Sequence, residues 1–441
     1  MNAEVAHIRT AAETALIEAF AKADLPGGGT VARERAAALK RFEREGLPHR
    51  RIEAWKYTDL RSLMQEAKPL APPPDAKAIA AARTAGAALA GVPAYRIVFV
   101  DGQYVKELSD VALEPGVTVT PLAMALGGGD GDLLFAENLG AAVDDPVLAL
   151  NTAFMADGAL IRVAKGAVVS KPLHLVFVHS SGTASAVFTR SQLIVEEGAR
   201  VALLESHEGP AALEYQVNAA LGLIVRDGAH VSHVKLGAEG DGALHVATAV
   251  AEIGARAEYR HLTLTLGGAV TRNQMFLACR GAGSDVTVAG VNLLRDRQHA
   301  DYTLVLDHAV GGCASREIFK SVLDDESRSV FQGKIVVEPD AQKTDARMMT
   351  RALLLSDRAE ADHKPELEIF ADDVQCGHGS TAGALDPELK FYLMARGIPA
   401  PEAEALLIQA FVGEAVETVR HEGLRDALMA ATLRWLAERG R

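Results

Sequence analysis

Few residues in this chain combine a reactive type with a telling spacing, and the most informative set is Cys376-Gly377-His378-Gly379. Cys376 and His378 are two apart. On a β-strand alternate side chains share a face, so the thiol and the imidazole project together, Gly377 points away, and Gly379 lets another backbone approach. A thiolate beside an imidazole suits zinc, iron or a growing iron–sulfur cluster. Two ligands are half a site, and the rest must come from elsewhere in the chain or from a second chain. The plain alternative is a buried cysteine acting as a small hydrophobe. His299, His308 and Cys313 form a looser second group. There His299 and Asp301 share strand parity, His308 is expected to hydrogen-bond a turn, and Cys279 reads as core. Glu317, Lys320, Gln332, Lys334, Gln342, Lys343 and Asp345 are expected to stack as ladders on an outer face.

Familiar enzyme signatures are missing. There is no G-x-x-x-x-G-K-[ST] loop, so the chain itself is not expected to hydrolyse ATP, and there is no G-x-S-x-G or H-E-x-x-H. The Gly27-Gly28-Gly29 and Gly127-Gly128-Gly129 runs lack the strand–loop–helix setting of a dinucleotide site. A net charge of −13 opposes nucleic-acid binding, which needs a concentrated basic surface. Three cysteines are too few for a disulfide framework and fit a reducing compartment. The first 20 residues include Glu4, Glu13 and Glu18 and read as an amphipathic helix, not a leader. No apolar run reaches the roughly 18 residues of a spanning helix. The expected location is cytoplasmic, with no membrane span.

The elements that must position the Cys-x-His pair are legible in outline. At 441 residues the chain is long enough for two or three structural units. Residues 1–94 are helical in character, with a helix near 31–45 stopped by Gly46 and a Pro-rich linker at 69–74. Residues 95–384 alternate short apolar runs with Gly-containing turns and form a β core, with a helical insertion near 122–155. There Asp145 is expected to cap a helix that has Pro146 at its first position. Residues 385–441 are helical again: Asp386-Pro387-Glu388 starts a helix and Gly397 ends it. Leu406, Leu407, Ala410, Phe411 and Val416 mark a second helix, and Leu424, Leu428, Leu433 and Trp435 a third. Within the core a Gly-Ala pair recurs at Gly166, Gly198, Gly228 and Gly254, at intervals of 32, 30 and 26 residues. Such a repeat points to stacked coils, hence a parallel β-helix. A β-sandwich with recurrent turns is the alternative.

Four stretches resemble the SufB/SufD scaffold family of the Suf iron–sulfur assembly system. They are Arg51-Ile52-Glu53-Ala54-Trp55-Lys56-Tyr57-Thr58; Ser329-Val330-Phe331-Gln332-Gly333-Lys334-Ile335 followed by Ala341-Gln342-Lys343-Thr344-Asp345-Ala346; Lys364-Pro365-Glu366-Leu367-Glu368-Ile369 running on to Asp372-Asp373-Val374-Gln375-Cys376-Gly377-His378-Gly379; and Phe391-Tyr392-Leu393-Met394-Ala395-Arg396-Gly397. In the third the family pattern is C-S-H-G-A-T. Gly377 stands for the usual Ser and Ser380 for the usual Ala, and neither change removes a ligand. The Cys-x-His pair favours the SufD branch over the SufB branch.

The resemblance implies a mainly β protein: a right-handed parallel β-helix flanked by helical N-terminal and C-terminal regions. It implies a non-enzymatic subunit that pairs with SufB and docks two copies of the ATPase SufC. ATP-driven closure of the SufC pair would then open the site. No cofactor would be tightly bound in isolation; iron or an iron–sulfur cluster would be held transiently, shared with SufB. By the same resemblance His378 lies at the SufB interface near the nascent cluster, with Cys376 as its neighbour. The tail helices are where SufC docks, with Phe391, Tyr392, Leu393, Arg396 and Gly397 as the candidate contacts. The exposed edge of a β-helix end also permits a homodimer when the chain is isolated. Two other functions remain open at this point. One is a carbohydrate-active β-helix enzyme, disfavoured by an aromatic content of 5%. The other is a purely structural partner of an ATPase.

Overall fold

A computed structural model describes residues 9–128, 134 and 143–439 of the chain. Strands β1 (Tyr95–Val100), β2 (Gln103–Tyr104) and β3 (Val117–Pro121) lie at one end of a stack. Eight coils of two strands follow. The first four pair β4 (Ala159–Val163) with β5 (Leu173–Val178), β6 (Ala186–Val195) with β7 (Arg200–Glu208), β8 (Gln216–Val225) with β9 (His230–Ala238), and β10 (Leu244–Ile253) with β11 (Glu258–Thr265). The last four pair β12 (Val270–Cys279) with β13 (Asp285–Leu294), β14 (His299–His308) with β15 (Ala314–Leu323), β16 (Arg328–Val337) with β17 (Asp345–Leu354), and β18 (Glu360–Ile369) with β19 (Gln375–Gly383). Even-numbered strands from β4 to β18 form one sheet, odd-numbered strands from β5 to β19 the other, and neighbours within each are parallel. This is the parallel β-solenoid read from the repeat. Parallel pairing one coil onward rules out the sandwich, whose strands are antiparallel.

The corners explain the Gly-Ala signal and correct its phase. Gly166, Gly198 and Gly228 each adopt φ near +70°, a conformation that costs glycine little. In the next coil Glu258 registers with His230, so the equivalent corner residue is Arg256, at φ +53°, and not Gly254. Gly254 answers a different need: a Cβ there would stand 2.6 Å from Asp227 Oδ1. That oxygen accepts a hydrogen bond from the Ala255 amide at 2.8 Å. The fourth Gly-Ala pair therefore sits two residues out of register.

Inward side chains fill the bore with, among others, Leu203, Leu223, Leu277, Leu304, Phe319 and Phe331. The outer faces are largely buried too, because helices cover them. Helix α1 (Ala11–Lys22) begins with a capping box between Thr10 and Glu13, and α2 (Gly29–Glu45) ends at Gly46 with φ +70°. The start of the helix expected over the first 20 residues, with Glu4, lies outside the described residues. Short helices α3 (Leu60–Leu63), α4 (Ala76–Ala81) and α5 (Leu122–Gly128) follow. Helix α6 (Pro146–Phe154) has Asp145 accepting from the Val147 and Leu148 amides, as its sequence predicts. The Trp55 ring lies 3.8 Å from the Arg272 guanidinium, and Arg272 pairs with Asp301 beneath it, both fully buried. Thr58 bonds His299 and Asp301, so His299 serves this clamp between the N-terminal segment and the even sheet.

At the other end, α7 (Pro387–Met394) is capped by Asp386 and followed by Gly397 at φ +87°. Helices α8 (Ala400–Val416) and α9 (Glu422–Glu438) pack on the outer face of the odd sheet. The α8 seam runs through Ala403, Ile408, Val412, Ala415 and Val416, while Leu406 and Ala410 face solvent. The periodicity was there, but its phase is set by the sheet beneath. In α9, Leu424, Leu428 and Trp435 are buried and Leu433 is exposed. Among the described residues no helix is long and apolar enough to cross a membrane.

Candidate functional site

The last coil has only one neighbour. Strand β18 pairs with β16 alone and β19 with β17 alone, so both leave an open edge at the end of the stack. Interior strands such as β13 are buried almost throughout, whereas β18 and β19 contain no buried residue.

The register sets which side chains line this mouth. Cys376 pairs with Ala346 and His378 with Met348, and both partners belong to the bore core. Cys376, His378 and Ser380 therefore face inward at the mouth, and Gly377 and Gly379 face outward. A Cβ at Gly379 would stand 2.6 Å from Met349 Cε, the mobile end of a side chain that can turn aside. Opposite, His363 of β18 reaches Ser380 Oγ at 2.9 Å. Cys376 is half-buried against the core and His378 is exposed. Burial pushes the Cys376 thiol up, and the Asp345 and Glu317 carboxylates add to the shift. That favours the neutral thiol in the free chain. A groove of about 610 Å³ runs along β19, lined by Arg316, Arg347, Arg351, Cys376, His378 and Glu414 among others.

Glu317 borders the same groove and departs from its expected place. It is fully buried, on the inner face, in register with Met348 and next-but-one to His378. Neither carboxylate oxygen has a hydrogen-bond partner, and burial pushes the carboxyl up to about 8. The outer-ladder expectation fails here because 317 shares parity with the inward Phe319. It fails at Lys320 for another reason. That residue does point outward, but α8 covers it, and its Nζ donates to Phe411 O at 2.7 Å and pairs with Glu414.

The tail residues Phe391, Tyr392, Leu393, Arg396 and Gly397 lie apart from the groove. Helix α7 buries no residue. Phe391 is 70% and Tyr392 54% exposed, and the Arg396 guanidinium stacks 3.4 Å from the Tyr392 ring. Ile369 and Phe370, at the end of β18, add a second exposed apolar pair beside the open coil.

Two buried clusters escape a linear reading. Cys279 lies in the bore core as expected, and there it comes together with His308 and Cys313. Deeper in the bore, Glu205 bonds His233 at 2.6 Å, His245 bonds Glu239 at 2.7 Å, and Lys235 links His245 to Asn273. Glu205 and His233 are 28 residues apart, as are His233 and His261. Polar residues recurring at the coil period were the available signal.

Fold and end face together define a β-solenoid protein with a thiol–imidazole pair at an open coil. Residues 177–411 match the family model described as "SUF system FeS cluster assembly, SufBD core domain", and residues 27–175 match "SufBD protein N-terminal region". The chain belongs to the SufBD family of iron–sulfur cluster assembly proteins, a scaffold family and not a known enzyme class. It is 32% identical over 402 residues to the iron–sulfur cluster assembly protein SufD of Escherichia coli (strain K12), covering 89% of this chain and 90% of that protein. It is 31% identical over 300 residues to SufD of Bacillus subtilis (strain 168), covering 66% and 67%. Over 405 residues it is 30% identical to a SufBD family protein of Synechocystis, covering 87% and 86%.

Proposed function

We propose that this chain is the non-ATPase subunit of a Suf assembly complex whose terminal coil pairs with SufB to complete a nascent-cluster site. The observation that carries the proposal is the uncapped β18–β19 coil, with Cys376 and His378 facing inward beside exposed Ile369 and Phe370. An open sheet edge favours addition of further strands. A second solenoid end would satisfy the edge, bury the apolar pair and bring ligands of its own. His378 would then hold iron, or a growing cluster, as cargo. Cys376 would join once a cation offsets the cost of ionising its buried thiol. A half-site of this kind releases its cargo when the partner moves away.

The same proposal gives α7 and the turn after it, from Phe391 to Gly397, to the ATPase SufC. The seams of α8 and α9 are buried on the solenoid, whereas α7 buries no residue and turns Phe391 and Tyr392 outward to a partner. His378→Ala tests the site. Cluster formation by the reconstituted complex with SufB and SufC is expected to fall at least tenfold while the complex still assembles. Cys376→Ser is expected to have the smaller effect. Unchanged assembly in His378→Ala would refute the site.

A further inference from the structure

We infer that Cys279, His308 and Cys313 form a second metal site, inside the solenoid and separate from its mouth, that takes one soft divalent ion, with Zn²⁺ the best fit. Cys279 closes β12 and His308 closes β14, directly in register on the neighbouring coil. Cys313 lies at the corner that leads into β15. All three are buried, and one ligand atom from each lies within 4.8 Å of the other two. Tetrahedral zinc, here with three protein ligands and a water in the fourth position, has Zn–S near 2.3 Å and Zn–N near 2.0–2.1 Å and needs ligand separations of about 3.8 Å between sulfurs and about 3.6 Å between sulfur and nitrogen. A closure of about 1 Å around an ion meets that requirement.

The surroundings are those of a supported site. His308 Nε2 lies 3.1 Å from Ser315 Oγ. With the proton on Nε2 the serine oxygen accepts it, and Nδ1 presents its lone pair. That Nδ1 is buried without a hydrogen-bond partner, an unsatisfied group for which an ion supplies the bond. Ser284 Oγ donates to Cys313 Sγ at 3.2 Å, orienting the sulfur as outer hydrogen bonds do around metal thiolates. Two thiolates and one imidazole select a soft ion over magnesium or calcium. The other buried group of potential ligands, His207, Glu239 and His245, is a poorer candidate because Lys235 Nζ already lies 3.2 Å from His245 Nε2. Joining two successive coils, the ion would tie the β12–β13 and β14–β15 layers together, with the β16–β17 coil between it and the mouth.

The test uses the full chain carrying Cys376→Ser and His378→Ala, which removes the mouth ligands and leaves all three proposed ligands intact. The protein is stripped with chelator and titrated anaerobically with Co²⁺, then with Zn²⁺. One equivalent of Co²⁺ is expected to bind with thiolate-to-cobalt charge-transfer absorption and tetrahedral d–d bands, and one equivalent of Zn²⁺ to abolish both. Adding Cys279→Ala and Cys313→Ala, or His308→Gln alone, is expected to remove the tetrahedral thiolate spectrum. The idea is overturned if the parent variant, folded by circular dichroism, shows no thiolate band. It is also overturned if the band survives loss of both cysteines, or if the pair is recovered as a Cys279–Cys313 disulfide. Because the parent retains every ligand, misfolding of a ligand-deleted variant would not rescue the inference.

Discussion

Replacing Glu317 by Gln should stabilise the protein, and the gain should depend on pH. Glu317 is fully buried, neither oxygen makes a well-formed hydrogen bond, and the nearby Ser315 hydroxyl and Arg316 charge offset only part of the burial cost. Its carboxyl is pushed from an ordinary 4.5 up to about 8 in the fold. A group whose folded pKa is raised contributes stability that is complete below the unfolded value and lost as pH rises through the folded one. Below pH 4.5 both states are protonated and the side chain is neutral either way. At pH 7 the unfolded chain is ionised while the fold still holds a proton, a penalty of about 3 kcal/mol from roughly 2.5 pH units at 1.36 kcal/mol each. Above pH 8 the penalty levels off near 5 kcal/mol. Glutamine has nearly the same shape and no charge to bury. Urea unfolding of both proteins, followed by far-ultraviolet circular dichroism, should show little difference at pH 4.5. At pH 7 the variant should be more stable by about 3 kcal/mol, less whatever the new amide leaves unsatisfied. A difference between variant and wild type that is the same at both pH values would refute the reasoning, because it would mean that Glu317 does not titrate on folding.

Three further outcomes follow from the same structure. Arg272→Met strands the buried Asp301 and removes the cation over Trp55, and should cost about 3–5 kcal/mol in urea unfolding; a loss under about 1 kcal/mol would show that the clamp is not held by charge. His174 is buried against Ser206, and burial, with repulsion from Arg96, lowers its pKa to about 4. It is therefore neutral in the fold but protonates when unfolded below pH 6.5, so stability should fall by up to about 3 kcal/mol between pH 6.5 and 4. His174→Gln should flatten that slope, measured as melting temperature against pH, and an unchanged slope would count against it. Phe370→Asp, at a position 60% exposed, should leave the melting temperature of the isolated chain unchanged and weaken co-purification with SufB at least tenfold; retained binding would remove this pair from the proposed interface.

Much of the architecture was legible because it follows local rules. Asp145-Pro146 and Asp386-Pro387 start helices where capping chemistry says they should, and Gly46 and Gly397 end them. Gly-Ala pairs mark real corners at Gly166, Gly198 and Gly228, but the fourth pair slips, because Arg256 takes the left-handed position in that coil. In α8 only part of the apolar set meets the solenoid, Phe411 and Val416 but not Leu406 or Ala410, because a helix rich in Ala and Leu presents several apolar stripes and only the sheet beneath it selects one. Site residues divided the same way. Cys376 and His378 are two apart on one strand, so alternation alone predicted their shared face. Cys279, His308 and Cys313 meet across a coil boundary, and Glu317 faces inward by register. Those relations belong to the stacking of coils, and no single segment records them.

The open mouth is best understood by comparing β19 with the strand it covers. In β17 the inward positions at the same height are Ala346 and Met348, apolar and buried. In β19 they are Cys376 and His378, and the imidazole would lose its hydrogen bonds if buried there without a partner. A chain adapted to stand alone could place a helix across the last coil, and this one has three helices directly downstream. Instead α8 and α9 turn aside onto the outer face of the odd sheet, held there by Lys320–Glu414 and Arg439–Asp324 pairs. The cover that the tail withholds from β18 and β19 is what a second subunit would supply. That partner would meet an unpaired sheet edge, an exposed Ile369–Phe370 pair and two cluster ligands on one surface. The coil ends in half a site because solenoid stacking leaves a last strand with one neighbour, and this sequence puts a thiol and an imidazole there.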